Sequence, residues 1–231
     1  MVRPQREKGQ IDARTQTSCA PAQAPNPESS RMTLTANGRT AEHPIDPVFL
    51  ERWSPRAFDG QPVPREDLMT MLEAARWAPS SYNSQPWRFL YALKDGPHWG
   101  HFLGLLNEGN RAWADKSGAL LVLLSKSTMA IPGKEGEVPS HSHSHDAGAG
   151  WAYFALQATR MGYQAHGMVG FDMDRAFAEL HVPIGYRVEQ MICVGRRGDP
   201  AQLPEAVRAR ENPNARRPLS ESAFEGAFPT A

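Results

Sequence analysis

Helical spacing of apolar residues is clearest at Leu68, Met71, Leu72 and Ala75, which fall at i, i+3, i+4 and i+7 and give one buried face. Pro64 opens this helix, Glu66 and Asp67 favour its positive end, and Pro79 lies beyond it. A shorter helix is expected after Asp46-Pro47, ending before Pro55. From Trp87 to Leu93 the pattern alternates, with Trp87, Phe89, Tyr91 and Leu93 on one face of a strand. Gly118 to Ser125 is apolar without alternation, as in a strand buried on both faces. Residues 126 to 145 form a Gly/Pro/Ser/His loop long enough for a functional lid. Asp146 to Met161 reads as a small-residue-rich helix closed by Gly162, another helix follows Asp172, and Arg187 to Val194 is a further strand.

Residues 1–43 show no sustained apolar period and are expected to be a disordered tail. Residues 44–231 form one domain, in which the arginine- and proline-rich stretch 199–231 has no evident core of its own. Helices and strands intermix, with room for four or five strands, which supports an α+β sandwich.

Composition narrows the function classes. The 231 residues carry zero formal net charge, so no general attraction to nucleic acid or to an anionic membrane is expected, and any anion must be held by local basic clusters. The longest apolar run, Ala119 to Leu124, is too short to cross a bilayer, and the N-terminus lacks the apolar core of a secretory signal, so a cytoplasmic protein is expected. Cys19 and Cys193 follow neither metal-ligand nor CxxC spacing, and Cys193 reads as a core thiol.

Two constellations carry candidate chemistry. Pro55 biases Ser54 away from helical geometry, so Arg52-Trp53-Ser54-Pro55-Arg56 should run extended, with Arg52, Ser54 and Arg56 on one side. Two guanidinium forks and a hydroxyl suit a terminal phosphate; a solvated basic edge has the same spacing. The second is Ala78-Pro79-Ser80-Ser81-Tyr82-Asn83-Ser84-Gln85-Pro86-Trp87, a run of hydroxyls and amides between an amphipathic helix and an aromatic strand. Its amides could satisfy the donors and acceptors of a flavin's pyrimidine edge, or serve an ordinary polar turn. His141, His143 and His145 would share a face, and could ligate a metal, only in an extended segment; a solvated or substrate-facing lid is the preferred reading, and no metal is expected. His166 reads as either structural or near the ligand.

These segments resemble the nitroreductase family, whose pattern reads R-x-S-x-R followed by A-P-S-x-x-N-x-Q-P-W. The likeness continues through Gly109–Trp113, Asp146–Ala149, Met168–Asp172 and Ala215–Leu219. It implies a three-layer α-β-α sandwich with a mixed sheet of four or five strands, and a homodimer in which FMN lies at the subunit interface and the 199–231 extension wraps the partner. It also implies that Arg52, Ser54 and Arg56, with Arg216, hold the FMN phosphate and ribityl chain; Trp53 and Gln85 belong to the same cofactor-binding set. Asn110 would bond the pyrimidine end, and the backbone near Val169 and Gly170 would face flavin N5. Pro79, Ser80, Ser81 and Asn83 would approach the ring from the other subunit. The implied activity is ping-pong hydride transfer from NADH or NADPH through FMN to a small organic acceptor, such as a nitroaromatic, quinone or enal, with no catalytic side chain. A non-catalytic flavin sensor or carrier, or a flavin-consuming or dehalogenating relative, is the alternative. Two positions depart from the pattern: Trp113 stands where many relatives carry a lysine or arginine near the flavin C2 carbonyl, and Val169 where a glutamate is frequent. Loss of a cation near N1 should shift the flavin's potential rather than abolish its chemistry.

Overall fold

A computed structural model describes residues 34–229. The elements run β1 (Thr35–Ala36), β2 (Arg39–Thr40), α1 (Val48–Glu51), α2 (Arg65–Arg76), β3 (Trp87–Leu93), α3 (Trp99–Leu105), α4 (Glu108–Ala114), β4 (Ala119–Lys126), β5 (Thr128–Ala130), β6 (Glu137–Pro139), α5 (His143–Arg160), β7 (Gln164–Met168), α6 (Met173–Glu179), β8 (Tyr186–Gly195) and α7 (Glu205–Arg208).

Strand β4 shows why the chain forms three layers. Its side chains alternate between two apolar clusters: Leu120, Val122 and Leu124 face one, while Ala119, Leu121 and Leu123 face the other. A strand that is apolar on both faces needs a covering layer on each side. On the first side these are α3, α4 and α6, through Phe102, Leu105, Trp113 and Ala176, together with Phe58. On the second they are α2 and α5, through Leu68, Met71, Ala75, Phe154 and Ala158. Trp87, Phe89, Tyr91 and Leu93 of β3 all meet the second cluster, as their alternation requires.

The sheet order is β3-β4-β8-β7. All three neighbouring pairs are antiparallel, so within the described residues the expected mixed sheet is a four-stranded antiparallel one. Between β4 and β8 the register shifts at Leu123/Leu124, leaving Glu189 as the extra residue of a bulge. That shift brings Val188 to the same cluster as Met191 and Cys193.

Local signals explain the boundaries. Asp46 Oδ1 accepts from the Val48 N–H at 2.9 Å at the start of α1. Asp172 does the same for Arg175 at α6. Helix α5 ends in a Schellman arrangement, in which Gly162 at φ +78° lets Tyr163 N–H reach Ala158 O at 2.8 Å and Gly162 N–H reach Thr159 O at 3.0 Å. At Gly118 a Cβ would sit 2.5 Å from Gln61 O, so only glycine permits that crossing.

Several expectations change. Order begins ahead of Asp46: residues 34–43, assigned to the tail, include the β1–β2 hairpin, turned by Asn37 and Gly38 at φ 53° and 70°. The remainder of that tail up to residue 33, with Cys19, lies outside the described residues. The 126–145 loop contains the β5–β6 hairpin, and α5 starts three residues early, at His143. His143 and His145 therefore stand two apart on a helix, and the shared face needed for a histidine metal site does not form. The first part of the 199–231 extension docks on its own chain: Leu203 is buried in the first cluster, and Gln202 Nε2 donates to Phe58 O at 2.6 Å. Beyond it, Leu219, Phe224 and Phe228 are exposed. No helix among the described residues is long and apolar enough to cross a membrane.

Phe154 is fully buried between α5 and the sheet, with Phe89 and Trp151 stacked near it at 6.2 and 6.1 Å. Phe154→Ala should destabilise the fold by about 3–5 kcal/mol in denaturant titrations, the usual cost of emptying an aromatic core site. A loss below about 1 kcal/mol would contradict this packing of α5 on the sheet.

Candidate functional site

After α1 the chain leaves helical geometry at Arg52, with φ −67° and ψ 121°, and runs on through Arg56. This segment meets β7 and the 209–216 stretch of the C-terminal extension around a cavity of about 520 Å³. Arg52, Trp53, Ser54, Arg56 and Arg216, all singled out in the sequence, line it. Arg39, His166, Arg210, Asn212 and Asn214 complete much of its wall. Arg52 Nη1 donates to Ser54 Oγ at 3.4 Å. A second, more apolar cavity of about 370 Å³ shares Arg52 and Ser54 and continues along Trp151, Ala155, Gly167 and Gln190.

Five guanidinium groups line the first cavity, and none of its lining residues is an aspartate or glutamate. Burial holds the Arg39 and Arg52 guanidinium groups below the usual arginine range, and the positive charge of Arg216 adds to the effect. Arg39 is 6% exposed; it donates to Leu50 O and to Arg52 O, while its Nε is buried without a partner. The arrangement favours an anion with several acceptor oxygens, which would offset the mutual repulsion and satisfy the unused donors.

One carboxylate organises the segment from behind. Glu211, with its side chain 1% exposed, accepts from Arg56 N–H at 2.8 and 3.0 Å and from Ala57 N–H at 2.9 Å, and lies 3.9 Å from Arg56 Nη1. His166 acts from β7: its Nδ1 is 2.9 Å from Pro55 O, and its ring lies 4.8 Å from that of Trp113. Burial, with Arg56 nearby, pushes the His166 pKa down. Trp113 itself is 3% exposed and packs in the first cluster against Phe58, with the Arg56 guanidinium 5.9 Å over its ring.

Asn110, Val169 and Gly170 come together one helical turn away from Trp113. Gly170 O accepts from Asn110 Nδ2 at 3.0 Å and from Asn107 N–H at 3.1 Å. A Cβ at Gly170 would lie 2.5 Å from Asn110 Nδ2 and 2.6 Å from Asn107 Nδ2, so any larger residue would displace these two amides. Val169 is 71% exposed.

Pro79, Ser80, Ser81, Asn83 and Gln85 do not line the arginine cavity of their own chain. Their loop is strained, with Tyr82, Asn83 and Gln85 at φ 50°, 53° and 47°. Asp146, buried in the first turn of α5, holds it by accepting from Ser81 N–H at 3.0 Å and Ser142 Oγ at 2.9 Å. Ser80 Oγ accepts from Gln85 N–H at 3.0 Å.

Arg39, Arg210 and Glu211 are absent from the sequence-derived set, and the sequence leaves His166 between a structural role and a place near the ligand. Glu211 offered a faint signal, as a lone acid inside a basic stretch. The other three depend on which distant segments meet.

A sequence profile described as "Nitroreductase family" matches residues 50–98, which span both constellations. A solved structure of an oxidoreductase containing FMN is 47% identical, superposes with a TM-score of 0.82, and covers 86% of this chain and 100% of its own. A Leptothrix cholodnii protein with the provisional name NADH dehydrogenase/NAD(P)H nitroreductase is 28% identical over 189 residues, 71% of this chain and 90% of that protein. The major NAD(P)H-flavin oxidoreductase of Aliivibrio fischeri is 41% identical over 54 residues, 23% of this chain and 25% of that protein. With the motifs in place and a full-length structural relative at that identity, the chain belongs to the nitroreductase family.

Proposed function

We propose that the chain is an FMN-dependent NAD(P)H oxidoreductase whose arginine cavity holds the cofactor's phosphate. The observation that carries this reading is the convergence of Arg52, Ser54, Arg56 and Arg216 on a cavity with no acidic lining residue. The fit goes beyond charge, because the buried, unpartnered Nε of Arg39 leaves a donor for which an anionic ligand is the natural acceptor.

In this reading Arg52, Arg56 and Arg216, with Ser54, bind the phosphate and ribityl chain, and Trp53 belongs to the same wall. Asn110 would meet the pyrimidine end, and the backbone at Val169 and Gly170 would face N5. Bound there, FMN would supply the redox chemistry, a ping-pong hydride transfer between NADH or NADPH and a small organic acceptor. The protein's own part is to bind, orient and exclude water, and no side chain is assigned a nucleophilic role. The reading takes the enzyme as a homodimer, with Pro79, Ser80, Ser81, Asn83 and Gln85 contributed to the cavity of a second copy. Two facts support that: the loop is held in a strained shape yet does not line the arginine cavity of its own chain, and Tyr82 at its tip is 62% exposed. The exposed end of the C-terminal extension suits the same partner.

The test is the absorption spectrum of purified protein followed by anaerobic NADH and NADPH. Flavin bands that bleach, with about one FMN per chain, support an oxidoreductase. Flavin that resists both reductants supports a sensor or carrier, and a protein that takes up no FMN overturns the reading. Arg52→Ala should weaken FMN binding by about 1.5–3 kcal/mol, or roughly ten- to hundred-fold in Kd, as for a lost hydrogen bond to a charged group. Unchanged affinity by fluorescence titration removes Arg52 from the site. Glu211→Ala should lower stability by about 1.5–3 kcal/mol, because one buried and one partly buried backbone N–H lose a charged acceptor. FMN content should fall with it, and denaturant midpoints equal to wild type would contradict the anchoring role. Sedimentation equilibrium should give twice the chain mass, and a monomer that still binds FMN would refute the shared site.

A further inference from the structure

One wall of the arginine cavity is built by a stretch with little of its own to hold it. Residues 212–217 follow α7, and all but the half-buried Pro213 are exposed. Asn212, Asn214 and Arg216 of this stretch line the cavity, with Arg210 just ahead of it. Yet among the described residues no hydrogen bond joins 212–217 to the rest of the chain. The Arg216 guanidinium turns back to the carbonyls of Asn214 and Ala215, at 3.2 and 3.1 Å. Arg217 lies 3.8 Å from Glu221, inside the same extension.

A carboxylate pins each end. Buried Glu211 takes the Arg56 and Ala57 N–H groups, and Glu42 accepts from Leu219 N–H at 3.1 Å. Between these pins the stretch brings Arg216 into the lining that Arg39, Arg52 and Arg56 supply from the body of the chain. Guanidinium groups with no acid among them repel one another, and the side free to yield is the one without hydrogen bonds to the body. A phosphate reverses that balance. Its oxygens can accept from both sides at once, and charge-assisted bonds of this kind are among the strong ones. Arg39 Nε, buried without a partner, is a donor ready on the body side.

We propose that the cofactor's phosphate latches this stretch: Arg210 and Arg216 close on it against Arg39, Arg52 and Arg56, and the chain thereby selects phosphorylated flavin over riboflavin. This rests on the FMN reading and adds Arg39 and Arg210 to the groups that hold the phosphate. Riboflavin brings the arginines no anion, so the stretch stays open and the ligand is not retained. Closure is local, because Glu211 and Glu42 keep the two ends in place whether or not the phosphate is bound.

The test is limited trypsin cleavage of the full chain, freed of flavin and then supplied with FMN or with riboflavin. The bond to follow is the one after Arg216; the reference is the bond after Lys134, in the exposed turn between β5 and β6. Cleavage of a segment that opens and recloses quickly tracks its open population. FMN should therefore slow cleavage after Arg216 by at least about ten-fold, the effect of one hydrogen bond to a charged group, and riboflavin should not. Cleavage after Lys134 should keep its rate throughout. Equal rates with and without FMN overturn the latch, as does equal protection by riboflavin. Flavin removal that speeds both bonds by the same factor overturns it too, since the ligand then acts on the whole fold. Arg210→Gln, at an exposed position, keeps the Arg216 bond cleavable and should raise its rate in the FMN-loaded protein by about ten-fold. An unchanged rate removes Arg210 from the latch. A chain that takes up no FMN overturns the functional reading and this inference with it, whereas bound FMN with unchanged cleavage overturns this inference alone.

Discussion

The site depends on keeping like charges together. Arg39, Arg52, Arg56, Arg210 and Arg216 line one cavity, and the carboxylate that organises them, Glu211, does so from behind its wall. Partly buried guanidinium groups repel one another more strongly than solvated ones, because less water screens them. The fold accepts that cost by holding the segment through backbone groups. Glu211 takes the Arg56 and Ala57 N–H groups, and Arg39 reaches the carbonyls of Leu50 and Arg52. Side-chain charge is thereby left for a ligand, and an anion that binds there also stabilises the folded chain.

This concentration of charge needs a rigid frame, since the contributing segments lie far apart in the chain. Strand β4, apolar on both faces, fixes the three layers and carries β8 and then β7, on which His166 sits. Close crossings set the detail. Gly170 lets α4 and the end of β7 approach until Asn107 and Asn110 nearly touch the backbone, and Gly118 lets the 61–63 segment cross the start of β4. A methyl group at either place would meet side-chain nitrogen or backbone atoms inside ordinary contact distance.

Elements with a strong local period were legible in the sequence. The face of α2, the alternation in β3 and the unbroken apolar run of β4 each have one economical burial pattern, and the structure has it. The segment that leaves helical geometry at Arg52 likewise brings Arg52, Ser54 and Arg56 to one cavity, although Trp53 between them lines it too. What escaped was weak locally or made by tertiary meeting. Strand β7, Gln-Ala-His-Gly-Met, has no apolar alternation and is recognisable only beside β8. The β1–β2 hairpin did carry a signal, the Asn37-Gly38 pair, but it follows a long polar stretch and has only two residues per strand. Arg39, Arg210, Glu211 and His166 come from three different segments, and only their meeting in the fold brings them to one site.

The loop from Ser80 to Gln85 shows how strain and burial divide their roles. Three residues in the left-handed region cost on the order of 1–3 kcal/mol each, so the shape persists only because its surroundings over-determine it. Asp146 does much of this from the first turn of α5, where its carboxylate also benefits from the positive end of an eighteen-residue helix. The same turn explains why the neighbouring histidines are poorly placed as metal ligands: once Asp146 is committed to the loop, His143 pairs with Ser125 at 2.7 Å and His145 lies outside with its side chain 87% exposed. A helix start that sequence spacing offers as a metal site is thus better understood as the anchor of a strained loop. That anchor leaves the loop's outward groups fixed in space before any ligand or second chain arrives, which lowers the ordering cost of whatever binds them.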